Sequence, residues 1–251
     1  MSAKISLEEK FRESGGKQPY VRRLFGRIAR IYDVMNRLMS FGLDRRWRAF
    51  AARYLALGSG ELGLDLGAGT ADLSIAVIRH SGPGTRMIGL DITPEMLAEG
   101  RRKIERLGLQ ERIELRVGDA ERIDLPDNSV DGCCSAFVVR NLSDIRQGFR
   151  EMLRVVRPGC RVVCLEISHP PGKNFGALFR LYFYKLAPLF GTLLGKAFEE
   201  YNYLPHSLTT FPDAPALKAI MEEVGWTDVR YYLLNGGIVA VHVGTKPGDE
   251  A

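Results

Sequence analysis

The sequence predicts an α/β fold in which a seven-stranded, mostly parallel sheet carries helices on both faces and ends in an antiparallel hairpin. Three observations predict it. From Gly58 onward, short apolar runs alternate with helical patterns, separated by Gly, Pro and Asp. The first apolar run stops in a glycine-rich stretch, GLDLGAGTADLS, from Gly63 to Ser74. Near the C-terminus, Asn235-Gly236-Gly237 separates two strand candidates, the residue types of a tight turn.

Taken in order, the strand candidates are Leu62–Leu66, Arg86–Asp91, Ile113–Val117, Val130–Ala136, Arg161–Glu166, Asp228–Leu233 and Ile238–Gly244. Helical patterns fall at Asp72–His80, Pro94–Leu107 and Ile145–Val156, and Pro158-Gly159 reads as the stop signal after the last of these. Alternation of this kind is expected of a parallel sheet covered on both sides. Ahead of Gly58, the apolar positions Leu24, Ile28, Ile31, Met35 and Leu38 recur at helical spacing. Residues 1–57 are therefore read as a helical N-terminal lid. Residues 58–251 are read as the ligand-binding domain, with an aromatic cover inserted near 170–210 that includes NFGALFRLYFYKLAPLFG.

At 251 residues and 45% hydrophobic content, the chain is long enough to bury a sizeable core. Its apolar runs are shorter than a bilayer span and its N-terminus lacks an apolar signal core, so a cytoplasmic location is expected. Cys133, Cys134, Cys160 and Cys164 fall in apolar runs without metal-ligand spacing, which predicts buried free thiols and no metal site. Charge is unevenly spread. Between Tyr20 and Phe50, eight arginines face two aspartates, so this segment alone exceeds the whole chain's net charge of +5. One side of it is greasy and the other basic, suited to packing on the domain or lying on an anionic membrane surface.

Asp65-Leu66-Gly67-Ala68-Gly69-Thr70 ends the first strand and opens a helix, where open α/β sheets bind their ligands. Gly67 and Gly69 allow backbone N–H groups to approach a ligand closely. Asp91 ends the second strand, where a carboxylate accepts hydrogen bonds from a ribose diol, and Asp119-Ala120 follows the third, where it can meet an exocyclic amine. The third glycine of a dinucleotide fingerprint is absent, since the run is Gly67-Ala68-Gly69-Thr70-Ala71-Asp72. An acid near the helix start also repels phosphate. The ammonium of S-adenosylmethionine, in contrast, is favoured by carboxylates such as Asp65. S-adenosylmethionine is the expected cofactor.

The segments FGRIARIYDVMNRLMSFGLDRRWR, LDLGAGTADLS, LDITPEML, GDAERIDLPDNSVD, FVVRNLSD, RVVRPGCRVVCLEIS, YNYLPHSL and GGIVAVHVGTKP together resemble successive motifs of the bacterial ubiquinone and menaquinone biosynthesis C-methyltransferases. The resemblance runs from about Phe25 to Lys246. It implies a Rossmann-like class I methyltransferase fold and methyl transfer from S-adenosylmethionine to a ring carbon of a prenylated quinol, demethylmenaquinol foremost. It also implies that Thr70, Asp91, Asp119 and Ala120 hold the cofactor. The sequence departs from the usual pattern at Ala136, where a serine is common and the hydroxyl has moved to Ser135, at Val138 in place of glycine, and at His206 in place of an acid.

Methylating a quinol carbon requires its neighbouring hydroxyl to be deprotonated or strongly hydrogen-bonded and the carbon itself to sit in line with the sulfonium methyl group. Arg140 and Asn141, just after the fourth strand, are the candidates for holding the quinol oxygen. Tyr32, with Asp33 and Asn36, is expected to complete the pocket from the lid, and His206 is the candidate for proton transfer. Structural roles are expected for His80 and His242, while His169 is placed to face the pocket. The expected setting is peripheral on the inner face of the cytoplasmic membrane, without nucleic acid; a homodimer is left open. The alternatives are another small aromatic or lipid substrate, RNA, or a non-catalytic lipid-binding module. RNA recognition calls for basic residues across several elements, whereas here they crowd into one.

Overall fold

The structure is a computed structural model that describes residues 7–172, 203 and 207–248. The described chain opens with α1 (Leu7–Glu13), α2 (Lys17–Ile28), α3 (Tyr32–Met39) and α4 (Asp44–Leu55). The alternating part follows: β1 (Leu62–Leu66), α5 (Asp72–His80), β2 (Arg86–Asp91), α6 (Pro94–Arg106), β3 (Ile113–Val117), β4 (Val130–Ala136), α7 (Ile145–Val155) and β5 (Val156–Ile167). After the undescribed stretch come α8 (Ala214–Val224), β6 (Thr227–Leu234) and β7 (Val239–Thr245). The aromatic run 174–191 and His206 lie outside the described residues.

The seven strands form one sheet in the order β3-β2-β1-β4-β5-β7-β6. The sheet is mostly parallel and ends in an antiparallel hairpin, as the sequence predicts; β7 alone runs against its neighbours, which are β5 and β6, and the other pairs are parallel. The bounds of β1 to β4 match those read from the sequence: β1, β2 and β4 lie inside the sheet and are largely buried, as expected of parallel strands covered on both faces, whereas the edge strand β3 shows as an alternation of buried and exposed residues. Side chains alternate between two cores. Leu64 and Leu66 of β1, Cys133 of β4, and Val162 and Cys164 of β5 pack with Phe149 and Met152 of α7 and Trp226. Their neighbours Cys134, Val163 and Leu165 pack on the opposite face with Trp47 and Ala51 of α4, Val77 of α5 and Leu97 of α6. Burial raises the thiols of Cys133, Cys134 and Cys164, so they behave as small apolar side chains, as expected.

Two local expectations need correction. The strand foreseen at Arg161–Glu166 begins at Val156, directly at the end of α7. Pro158-Gly159 stops the helix yet stays within β5: the β4–β5 pairing jumps from Val130↔Val156 to Gly132↔Arg161, so residues 157–160 leave that ladder as an irregular bulge. Proline is tolerated in a sheet at such a bulge, and Gly159 supplies a φ of +77°. The second correction concerns the single apolar stripe from Leu24 to Leu38. A turn at Ala29–Ile31, closed by Ile31 N–H donating to the Ile28 carbonyl at 3.0 Å, resets the phase between α2 and α3. Val21, Leu24, Ile28 and Met35 are buried with Tyr203, while Leu38 is exposed. Helix α4, which the sequence assigns to the N-terminal lid, buries Trp47, Ala51, Ala52 and Leu55 against the sheet.

Candidate functional site

The chain moves outward from β1 through β2 to β3, then returns to the centre and moves the other way from β4 to β5. The carboxyl ends of β1 and β4 therefore lie side by side at a topological switch point, where a crevice opens. The loop after β1 is shaped by three left-handed residues, Gly67 at φ +68°, Gly69 at +53° and Ala71 at +66°. Across from it, Phe137 after β4 also takes φ +63°, an uncommon conformation for an aromatic residue that the surrounding packing must hold. A Cβ on Gly67 would come within 2.2 Å of the Val138 side chain. Glycine is thus required there for space as well as for conformation.

Two cavities meet at this loop. The larger spans about 680 Å³, the space at its open mouth included, and is lined by Gly67, Gly69, Asp91, Asp119, Ala120 and Asn141, with Tyr32 from α3 and Gln18, Val21 and Phe25 from α2. The smaller, about 290 Å³, is lined by Asp65, Gly67, Ala68, Gly69, Thr70, Asp72 and Leu73, with Tyr32, Arg48 and Ala136. Each residue foreseen for the cofactor lines one cavity or both.

Their electrostatics fit the expected ligand. Asp65 is buried; its Oδ2 accepts bonds from the Ser74 N–H at 2.9 Å and the Ser74 hydroxyl at 2.6 Å, while Oδ1 is buried with no partner. Desolvation pushes the Asp65 carboxyl up to about 6, against the pull of the Ser74 bonds. A buried carboxylate oxygen without a donor is costly, and an ammonium placed there would satisfy it. Asp91 accepts from Gly69 N–H at 2.9 Å and Thr93 N–H at 2.8 Å, which fixes the carboxylate at the edge of the larger cavity. Burial raises its carboxyl too. Asp119 accepts from the Glu121 N–H at 2.8 Å. Thr70 lines the smaller cavity, and its hydroxyl donates to Asp33 Oδ1 at 2.6 Å.

That contact belongs to a latch the sequence did not reveal. Lys103 of α6 reaches Asp33 of α3 and Asp72 of α5, each at 2.5 Å, and Thr70 at 3.1 Å. It ties the N-terminal helices to the ligand loop. Lys17 of α2 supports the same docking, donating to the carbonyls of Arg140 at 3.1 Å and Leu142 at 2.6 Å.

Arg140 and Asn141 form a single 3₁₀ turn, Val139–Asn141, and they separate in role. Asn141 lines the larger cavity; its amide donates to the Phe137 carbonyl at 3.2 Å and its side-chain oxygen accepts from the Tyr203 hydroxyl at 3.2 Å. Arg140 is 5% exposed and lines neither cavity. Its Nη1 donates to Glu166 Oε2 at 2.8 Å, its backbone N–H reaches Glu166 Oε1 at 3.3 Å, and Nε is buried without a partner. Burial pushes the Glu166 carboxyl up while Arg140 pulls it back. Desolvation likewise raises Tyr203 to about 12, so it stays a neutral donor. Glu166 and Tyr203 escaped sequence reasoning; the acid closing the apolar run RVVCLEI was the available signal for Glu166.

The remaining histidines are structural in their contacts. His242 pairs through Nε2 with the Ala214 carbonyl at 2.9 Å, and burial lowers its pKa; His80 contacts the Ala76 carbonyl at 2.8 Å. His169 contacts the Phe211 carbonyl at 3.0 Å and lines neither cavity, and Ser135 is buried away from both. Among the described residues, no cluster of His, Cys, Asp or Glu could hold a metal.

A sequence model of the ubiE/COQ5 methyltransferase family matches residues 13–246. The chain belongs to this family. Among members of the ubiE/COQ5 family, it is 41% identical to a demethylmenaquinone methyltransferase of Thermus thermophilus, over 89% of this chain and 100% of that one. It is 39% identical to a ubiquinone/menaquinone biosynthesis C-methyltransferase of a Geobacter species, over 90% of this chain and 96% of that one. The family's fold is also found well outside it. A S-adenosylmethionine-dependent methyltransferase from Aquifex aeolicus superposes with a TM-score of 0.53 at 21% identity, covering 77% of this chain and 86% of that one. The [4+2]-cyclase SpnF does so with a TM-score of 0.62 at 17% identity, covering 93% and 97%. A cyclase and methyltransferases on one scaffold show why the fold alone assigns no chemistry.

Proposed function

We propose that this chain transfers a methyl group from S-adenosylmethionine to a ring carbon of a prenylated quinol in menaquinone or ubiquinone biosynthesis, with demethylmenaquinol its foremost substrate. Family membership supports the reaction class. The single observation that carries the site is the paired cavity at the β1/β4 switch point, with the unpartnered Asp65 Oδ1 at one end and Asp91 at the other. S-adenosylmethionine supplies an electrophilic methyl group on a sulfonium. Gly67 and Gly69 bring backbone within reach of it, Asp65 takes its ammonium, Asp91 its ribose, and Asp119 and Ala120 border its base.

The protein's own contribution to the chemistry is to position the quinol and favour its oxyanion. Asn141 lines the larger cavity, and Arg140, beside it in the same 3₁₀ turn, carries a positive group held by Glu166. Tyr32 closes the wall from α3 where both cavities meet. His206 is the proton acceptor proposed from the sequence. Labelled methyl transfer to reduced demethylmenaquinone and to the corresponding benzoquinol, assayed side by side, tests the reading. Transfer to the naphthoquinol ring is expected to dominate; label in neither quinol would overturn it.

The raised Asp65 carboxyl predicts a pH dependence. An ammonium ligand binds the ionised form, so cofactor affinity should be flat above about pH 6 and fall by about tenfold per unit below it. The free protein responds with the opposite sign. Its folded carboxyl binds a proton up to about 6, the unfolded one only to its ordinary 3.8, so stability is lost as pH rises through that window. The full amplitude is on the order of 3 kcal/mol. Asp65→Asn should erase both trends, measured by calorimetric titration and by thermal unfolding from pH 4 to 8; an unchanged affinity profile in the variant would assign the ammonium elsewhere.

We also propose that the protein docks reversibly on an anionic membrane to reach its substrate. Arg22, Arg23, Arg27 and Arg30 are exposed on and just beyond α2, and Val34 and Leu38 are exposed on α3. Each basic residue near such a surface contributes on the order of 1 kcal/mol. No described helix is long and apolar enough to cross a membrane. Replacing the four arginines with Gln should abolish low-salt pelleting with anionic liposomes and slow methylation of a long-tailed quinol more than that of a short-tailed one. Equal slowing of both, with pelleting retained, would make the arginines structural.

A further inference from the structure

The smaller cavity contains a group that the cofactor reading leaves unassigned. Arg48 of α4 is the only cation among the cavity's lining residues, which also include the carboxylates Asp65 and Asp72. It is 5% exposed, and its guanidinium carbon lies 5.4 Å from the centre of the Phe137 ring. Its Nη1 donates to Asp44 Oδ2 at 2.8 Å. Asp44 is itself held, accepting from the Ser40 hydroxyl at 3.1 Å. The guanidinium is therefore held between its ion pair with Asp44 and the ring of Phe137. A guanidinium carries five N–H donors in a planar fork, so one pair with Asp44 leaves donors in hand.

The orphaned Asp65 Oδ1 asks for a cation and Arg48 offers donors to an anion, and both residues line one small cavity. We propose that Arg48 binds the α-carboxylate of S-adenosylmethionine while Asp65 takes the α-ammonium, so that the cavity reads the amino-acid end of the ligand as a zwitterion. This rests on the functional reading above and extends it to a residue contributed by the N-terminal helices. Removing a charge from water into a closed site is repaid only when its partner is in place, and the Asp44–Arg48 pair supplies that partner before the ligand arrives. Arg48 also acts on the carboxylates of the cavity: against burial, which raises it, Arg48 and Lys103 hold the Asp72 carboxyl below its ordinary value. Asp72 is paired with Lys103, and Asp65 Oδ1 is the carboxylate oxygen of the cavity left without a donor.

Ligand truncation tests this without any turnover. Calorimetric titration of the full chain would compare S-adenosylmethionine, its decarboxylated analogue, which keeps sulfonium and ammonium, and 5′-methylthioadenosine, which lacks both amino-acid charges. The wild-type chain should bind the decarboxylated analogue about tenfold or more weaker than the intact compound, the scale of a lost hydrogen bond to a charged group. Arg48→Gln should weaken S-adenosylmethionine by a similar factor and leave the other two ligands unchanged within about twofold; Arg48→Lys should recover part of the loss. Equal wild-type affinity for the intact and decarboxylated compounds would overturn the proposal even if Arg48→Gln failed to fold. Equal weakening of all three ligands by Arg48→Gln would overturn it too, leaving Arg48 a support for Phe137 and Asp44. Failure of the wild-type chain to bind S-adenosylmethionine at all would overturn the functional reading and this one together.

Discussion

Glu166→Ala should destabilise the protein by about 3–5 kcal/mol, because it leaves the Arg140 guanidinium buried with no counter-charge. The two side chains are 3% and 1% exposed, so water cannot take over the lost contact. For a chain of this length the melting temperature should fall on the order of 6–20 °C. The loss belongs to the unpaired charge rather than to the pair itself. Arg140→Met combined with Glu166→Leu, which removes both charges at similar volume, should regain most of the stability. The double variant separates folding from chemistry: it should melt near the parent, retain S-adenosylmethionine affinity within a few-fold, and lose methyl transfer. A double variant that is fully active would remove Arg140 from the quinol site. One as unstable as Glu166→Ala would mean that the contact with the 3₁₀ turn, through the Arg140 N–H, carries the energy instead.

Gly67→Ala should lose about 2–5 kcal/mol and most of the cofactor affinity. About 1–2 kcal/mol comes from placing a Cβ in the left-handed region at φ +68°. The rest, about 1–3 kcal/mol, is overpacking, since that Cβ would sit 2.2 Å from a Val138 methyl. The two contributions can be told apart. Val138→Gly removes the obstructing side chain, so Gly67→Ala should be milder by 1 kcal/mol or more in that background, a coupling larger than independent sites show. The residual loss is the backbone term, which no neighbour can relieve. Additivity of the two changes would show that the loop yields to Val138 rather than meeting it.

Much of the fold is legible in the sequence because interior parallel strands and the helices covering them obey strong local rules. The bounds of β1, β2 and β4 follow from largely apolar runs, those of the edge strand β3 from a two-residue alternation, and α5 from a 3.6-residue period. The ligand loop is legible for the same reason. A glycine-rich stretch at a strand end has few other uses, and Asp91 and Asp119 recur at the next two strand ends. Where the strands pair less regularly, the sequence says less: the β5 bulge at residues 157–160 follows from pairing with neighbours on both sides, not from Pro158 itself.

By itself, then, the sequence determined the strands of a mostly parallel sheet, the glycine-rich loop at the end of the first of them, several of the residues that line the cavities there and, through its motifs, the family. Only the tertiary structure decided what those residues touch. Arg140 and Asn141 are adjacent in the chain, yet one is sealed against Glu166 and the other faces the cavity, because a 3₁₀ turn points neighbours in different directions. Thr70 is spent on Asp33, 37 positions away, and Lys103 joins Asp33 to Asp72 across three helices. Arg48 reads as one of eight arginines in a basic segment until packing buries it beside Phe137. The physical reason is common to all of these. Local backbone preference and apolar period are written along the chain, whereas the desolvation and pairing of a charge depend on which distant groups surround it once the chain has folded.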